Sequence, residues 1–193
     1  ITSVIGRQLF PDKYRDVPED VLRKAAERGT MIHSICELVD DMGITHDSDE
    51  AQGYKELKDD WGLRYECSEY LVSDNEHYAS CIDKVYRENE TDFTLGDIKT
   101  TYVLDKESVR WQLSIYAYFF ELQNPGCNAV RLIGIWLRGK NHEIVEVERI
   151  PSEVVMNLLK CDSEGRQFVN PYSISPVTLP DEYRKMERTI QEI

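Results

Sequence analysis

Between residues 63 and 137 the hydrophobic period changes from two to about 3.6 and back, and that order confines the chain to a sheet with helices packed on it. Three segments of strand-like character, 63–72, 78–86 and 93–100, are joined by short polar stretches at 73–76 and 88–91, which predicts an antiparallel meander. Over 106–122, Trp111, Ile115, Tyr118, Phe119 and Leu122 predict one apolar helix face, ended by Asn124-Pro125-Gly126. The Val, Leu, Ile and Trp run at 129–137 suits a buried strand, and 143–149 reads as another after the turn Gly139-Lys140-Asn141. Upstream, Val21, Leu22, Ala25, Ile32, Ile35, Leu38 and Val39 predict a helix over 18–41, divided or kinked at Gly29-Thr30. Residues 43–62 read as a polar loop with one short helix around 51–59, and 152–160 and 181–193 read as helices. The expected fold class is α/β (α+β), a central mixed β-sheet flanked by helices. With no repeats or low-complexity linkers, the chain reads as a single domain over 1–193.

Composition narrows the function classes. A chain that is 41% hydrophobic and 10% aromatic can bury a core, which argues against disorder. Lys plus Arg number 23 against 36 Asp plus Glu, a net charge of −13, and this disfavours non-specific tracking along phosphates. It is compatible with carboxylates gathered around a metal ion, which neutralises them in part. The longest apolar run, 115–120, is too short for a bilayer, and residues 1–12 have no signal-peptide pattern, so a soluble cytoplasmic protein without membrane partners is expected. The cysteines Cys36, Cys67, Cys81, Cys127 and Cys161 include no CxxC pair, as expected of reduced thiols rather than zinc or iron–sulfur ligands. Asp47-Ser48-Asp49 lacks the glycine and glutamate an EF-hand needs in register. Gly-rich phosphate loops, GxSxG elbows and HExxH pairs are absent, which disfavours an unrelated small-molecule enzyme.

The chemistry concentrates at Asp97-Ile98-Lys99. Residues two apart in a strand share a face, so Asp97 and Lys99 project together beyond Phe93 and Leu95, while Ile98 faces the other layer. One hairpin earlier, Asp83 follows Ala79 and Cys81 on the same alternation. Two carboxylates and a lysine form a site for a hard divalent cation, which takes oxygen ligands and retains waters. Their convergence depends on register. A four-residue loop at 88–91 would leave Asp83 and Asp97 on opposite faces, whereas a three-residue loop or one bulge brings them to a common face. His33 and Glu37 share a helix face four residues apart, as do Gln112 and Tyr116.

In order, the chain presents Arg28-Gly29-Thr30-x-x-His33-x-x-x-Glu37, then Tyr78-Ala79-x-x-Ile82-Asp83, Asp97-Ile98-Lys99-Thr100 and Trp111-Gln112-Leu113-x-x-Tyr116. This series resembles the PD-(D/E)XK nuclease superfamily, closest to its RecB-like and phage-type exonuclease branch, where GTxxH, (A/G)xxD, DxK and QxxxY follow one another. The likeness begins at Ile1-Thr2-Ser3-Val4 and covers the first two-thirds of the chain. It implies an αβββαβ core and a Mg2+- or Mn2+-dependent deoxyribonuclease, an exonuclease of phage-type recombination or repair. By resemblance His33, Asp83, Asp97 and the Ile98 carbonyl are metal ligands, and Lys99 acts with Asp97 and Asp83 in catalysis. Gln112 and Tyr116 position the site, and Glu37 or Glu69 adds a further contact. Arg28, Lys106 and Arg110 are candidate DNA contacts. No iron–sulfur cluster is expected, and a helicase or single-strand annealing protein would be a separate chain. Oligomeric state is left open. The alternative is a catalytically silent, nuclease-like domain that binds DNA or a partner.

Overall fold

The computed structural model describes residues 1–43 and 46–173. Its elements run α1 (Thr2–Gln8), α2 (Glu19–Met42), α3 (Asp49–Trp61), β1 (Tyr65–Ser73), β2 (Ala79–Arg87), β3 (Asp92–Lys99), α4 (Lys106–Gln123), β4 (Asn128–Arg138), β5 (Asn141–Glu146) and α5 (Ser152–Ser163). The five strands lie in sequence order. β1, β2 and β3 form the antiparallel meander, α4 carries the chain across to β4 parallel to β3, and β5 returns antiparallel. The result is a mixed sheet flanked by helices, the expected fold class.

Each sheet face has its own core. Val85, Leu95, Trp111, Phe119 and Leu158 pack together on the side of α1, α4 and α5. Ile32, Cys36, Tyr54, Ile98, Ile133 and Ile144 pack on the side of α2 and α3. The alternation along β3 divides it between the two, with Phe93 and Leu95 in the first core and Ile98 in the second. No helix among the described residues is long and apolar enough to cross a membrane.

Four expectations need correction. α2 runs unbroken through Gly29-Thr30, because Ile32, Ile35, Cys36 and Val39 bury one face and hold the helix against the sheet. The polar stretch after it is a full helix, α3, whose Ser48 side chain accepts from the Ala51 N–H and whose face of Ala51, Tyr54 and Leu57 is buried. α4 has no single apolar face. It is enclosed on nearly all sides, with polar Gln112 and Ser114 buried, Leu122 exposed and Tyr118 half-buried. α1 was not anticipated, since seven residues carry too little periodicity to read. The helix expected at 181–193 lies outside the described residues.

Register at the second hairpin decides the site. Arg87 pairs with Phe93 and Lys84 with Gly96. Because the Glu88 N–H also donates to the Asp92 carbonyl at 2.9 Å, only residues 89–91 form the loop. The Asn89 side-chain oxygen accepts from the Thr91 and Asp92 N–H groups and closes this turn. Carried one step on, the same register sets Asp83 opposite Asp97. Gly96 permits the close crossing there, since a Cβ would lie 3.1 Å from the Tyr86 ring and 3.2 Å from Ile135.

Candidate metal centre

Where β2 and β3 end beside α2, backbone and side chains converge. The Asp83 carboxylate accepts the Ile98 N–H at 2.7 Å, which fixes it against the end of β3. From α2, His33 Nε2 lies 3.2 Å from the Ile98 carbonyl, and His33 Nδ1 lies 3.7 Å from Asp83 Oδ2. With a proton on Nε2 donated to that carbonyl, Nδ1 presents a lone pair to a carboxylate oxygen beyond hydrogen-bond reach. Glu69 completes the group from β1, so that one ligand atom each of His33, Glu69 and Asp83 lies within 4.8 Å of the others. Ligands across an octahedral cation with ~2.1 Å bonds stand about 4.2 Å apart, so a small closure suffices to bind one.

Glu69 carries a further mark. Its φ is 50°, in the left-handed region that L-residues other than Asn and Asp rarely occupy. An exposed strand residue held there, its side chain beside two other ligand atoms, stores backbone strain of the kind found at functional sites. Sequence gave only a loose pointer to Glu69, because the bulge between Tyr65 and Cys67 that resets β1 has no local signature.

Behind this group lies a second set of partners. Asp97, with its side chain 1% exposed, accepts from Gln112 Nε2 at 2.8 Å. Its other oxygen, Oδ2, is buried and makes no hydrogen bond; Lys99 Nζ lies 2.7 Å away in an ion pair whose geometry falls short of one. Gln112 Oε1 accepts from Lys99 Nζ at 3.0 Å, and Gln112 Nε2 also donates to the Tyr116 hydroxyl, which accepts from Ser80. One buried glutamine thus holds the carboxylate and the ammonium together, and Tyr116 holds the glutamine. Ser80 had no sequence signal of its own.

The electrostatics follow. Burial pushes the Asp83 carboxyl well above the usual carboxylate range, and the Asp97 charge pushes it further. Burial lowers His33 against the pull of Asp97, favouring the neutral imidazole that a metal requires. Burial also pulls Lys99 down, but Asp97 and then Asp83 outweigh it and the ammonium is raised. Tyr116 is pushed up to about 12, chiefly by burial, and stays a neutral hydroxyl. An imidazole, two carboxylates and an unsatisfied buried carboxylate oxygen suit a divalent cation of the manganese or magnesium type.

The remaining candidates fall elsewhere. Glu37 is half-buried on α2 and outside the cluster. Arg28 pairs with Glu50, which also accepts the Gly139 N–H at 2.9 Å. Lys106 is exposed at the start of α4. Arg110 donates to the Glu148 carbonyl at 2.9 Å and covers the Tyr172 ring. The sequence also gave no hint of a buried network on the α2 face. There Lys84, 2% exposed, donates to Asp40 and to Ser68, both at 2.7 Å, while Tyr54 and Lys58 also donate to Asp40.

No protein-family model matches the chain, and no curated protein matches it. Among solved structures, the crystal structure of SSO0001 superimposes with a TM-score of 0.47 at 15% identity, covering 93% of this chain and 81% of that one. A likeness of that size carries no argument about activity.

Proposed function

We propose that the chain is a metal-dependent deoxyribonuclease with the αβββαβ core of the family it resembles, acting as an exonuclease in phage-type recombination or repair in the cytoplasm. The observation that carries this reading is the convergence of His33, Glu69 and Asp83 at the edge where Asp97 and Lys99 also end. His33, Glu69 and Asp83 would hold the cation, with Asp97 Oδ2 and the Ile98 carbonyl within the same corner. A bound cation supplies Lewis acidity at the phosphate and lowers the pKa of a water molecule. Lys99, with 26% of its side chain exposed and its ammonium held by Asp97 and Gln112, places a fixed positive charge where the cleaved phosphate gathers negative charge. The imidazole among the ligands favours Mn2+ over Mg2+ in affinity. A helicase or single-strand annealing protein would act as a separate partner.

The test is incubation of end-labelled linear DNA and closed circular DNA with Mn2+ or Mg2+, and with chelator. Metal-dependent loss from linear ends, absent in Asp83→Asn, is expected. Cleavage of closed circles would make the protein an endonuclease, and no cleavage of either substrate by folded protein overturns the nuclease reading.

A further inference from the structure

Two cavities flank the segment that follows Lys99. One, of about 510 Å3, is lined by Phe10, Tyr14, Val17 and Val103, and its one cation besides Lys99, Lys13, is paired with Asp105 at 2.6 Å. That cavity is poorly matched to a polyanion. The other is an open cleft of about 490 Å3 lined by Arg28, Tyr102, Trp136, Arg138, Gly139 and Asn141. It interleaves cations with aromatic rings, the composition that binds unpaired nucleotides by stacking bases and tracking phosphates.

The cleft is built rather than incidental. Trp136 is the register partner of Lys99 across the parallel pair β3–β4, so the two side chains leave the sheet from neighbouring strands about 4.8 Å apart. The indole is fixed by its N–H, which donates to the Thr101 carbonyl at 2.8 Å. Arg138 donates to the Thr100 carbonyl at 3.2 Å, lies 5.0 Å from the Tyr102 ring centre, and is in no ion pair among the described residues, unlike Arg28, which pairs with Glu50. Tyr102 is 79% exposed, with the Arg138 guanidinium as the one cation over its ring among the described residues. In a chain of net charge −13, an arginine unmatched by a carboxylate, two residues along β4 from the register partner of Lys99, marks where a phosphate can approach.

Resting on the nuclease reading, we propose that this cleft is a single-stranded DNA platform, in which unpaired bases next to the cleaved phosphate stack on Tyr102 and Trp136 while Arg138 meets the backbone and Arg28, paired with Glu50, lines the cleft. A closed duplex keeps its base faces covered, so the platform selects frayed or single-stranded ends.

The test is anisotropy of a labelled ten-nucleotide oligothymidylate in chelator, where binding is read without cleavage. Tyr102→Ala is expected to weaken binding about five- to a hundredfold, the range for one stacked base, and Tyr102→Phe to bind as the parent. Arg138→Gln should make the salt slope shallower by about 0.7, the share of one phosphate contact on a single strand. A blunt duplex of equal length should bind more weakly and ignore Tyr102. Unchanged oligothymidylate affinity in Tyr102→Ala, in a parent that cleaves DNA, overturns the platform and leaves the nuclease standing. A parent that neither cleaves nor binds DNA overturns both.

Discussion

Replacing Glu69 by glycine should move stability in opposite directions with and without metal. At φ 50° the backbone of Glu69 occupies a region that costs an L-residue about 1–2 kcal/mol. Glycine escapes that cost but loses more freedom on folding, by about 0.5–1 kcal/mol, so the net gain in chelator is about 0.5–1 kcal/mol. For a chain of this size that is roughly 1–4 °C in Tm. Glu69→Gln is the control, since it removes the charge and keeps the strain. The difference between the two variants isolates the backbone contribution. With metal at a hundredfold excess over Kd, the parent should gain about 2.7 kcal/mol, or roughly 5–11 °C. Losing one of three ligands and a hundredfold in Kd would leave about 0.4 kcal/mol of that gain. The assay is a thermal-shift titration with Mn2+ against a chelator baseline. If Glu69→Gly melts no higher than Glu69→Gln in chelator, the strain argument fails. If it shifts with Mn2+ as the parent does, Glu69 is no ligand.

Lys99→Met should cut cleavage by about a hundredfold or more and also lower the melting temperature, because the buried Asp97 loses its ion-pair partner and is left with its Gln112 hydrogen bond alone; adding Asp97→Asn should restore the melting temperature and not the cleavage. Asp40→Ala should cost about 3–5 kcal/mol in urea unfolding, since it strands the buried Lys84 ammonium, whereas Asp40→Leu with Lys84→Met should recover most of that. The double variant should still lose part of its Mn2+ shift. Asp162 links α5 to Arg7 and Gln8 of α1, and the Arg7 hydrogen bond lowers its carboxyl. Its contribution is therefore present above the unfolded value of about 3.9 and lost as pH falls through the lowered folded value, so the melting difference between parent and Asp162→Asn should be constant near neutrality and vanish in acid.

The strands were legible because burial on a sheet writes itself as a period, and β1 to β5 fall within two or three residues of the segments read from sequence, whereas α4 was legible in its extent and not in its faces, since it is enclosed on nearly all sides. α3 was harder to read. Its lysines and aspartates face water, and only Ala51, Tyr54 and Leu57 report the buried side. For the site, the sequence supplied the residue types and left their meeting open, since one residue of loop length decides which face Asp83 takes. The three-residue turn owes its closure to the Asn89 side chain, a detail of hydrogen bonding that no periodicity encodes. Glu69 is hard to read from sequence for a related reason. Its placement depends on an upstream bulge and a left-handed backbone, and both are decided by tertiary pairing.

The buried network on the other face bears on the site although it contributes no ligand. His33 and Asp40 stand seven residues apart on α2, two turns along one face. Asp83 and Lys84 are neighbours on β2 and so project to opposite sides. When Asp40 accepts from Lys84 at 2.7 Å, the helix can sit against the strand in one axial position, and in that position His33 reaches the Ile98 carbonyl and Asp83. A slip of α2 by one residue would shift His33 about 1.5 Å along the axis and rotate it about 100°, breaking both contacts. Apolar contacts between α2 and the sheet tolerate such sliding, whereas a buried ammonium and carboxylate do not. Ion pairs of this kind seldom add net stability over a hydrophobic pair of equal volume. The pair therefore acts by fixing where His33 sits, which is why the double variant that keeps the fold should still bind metal less well.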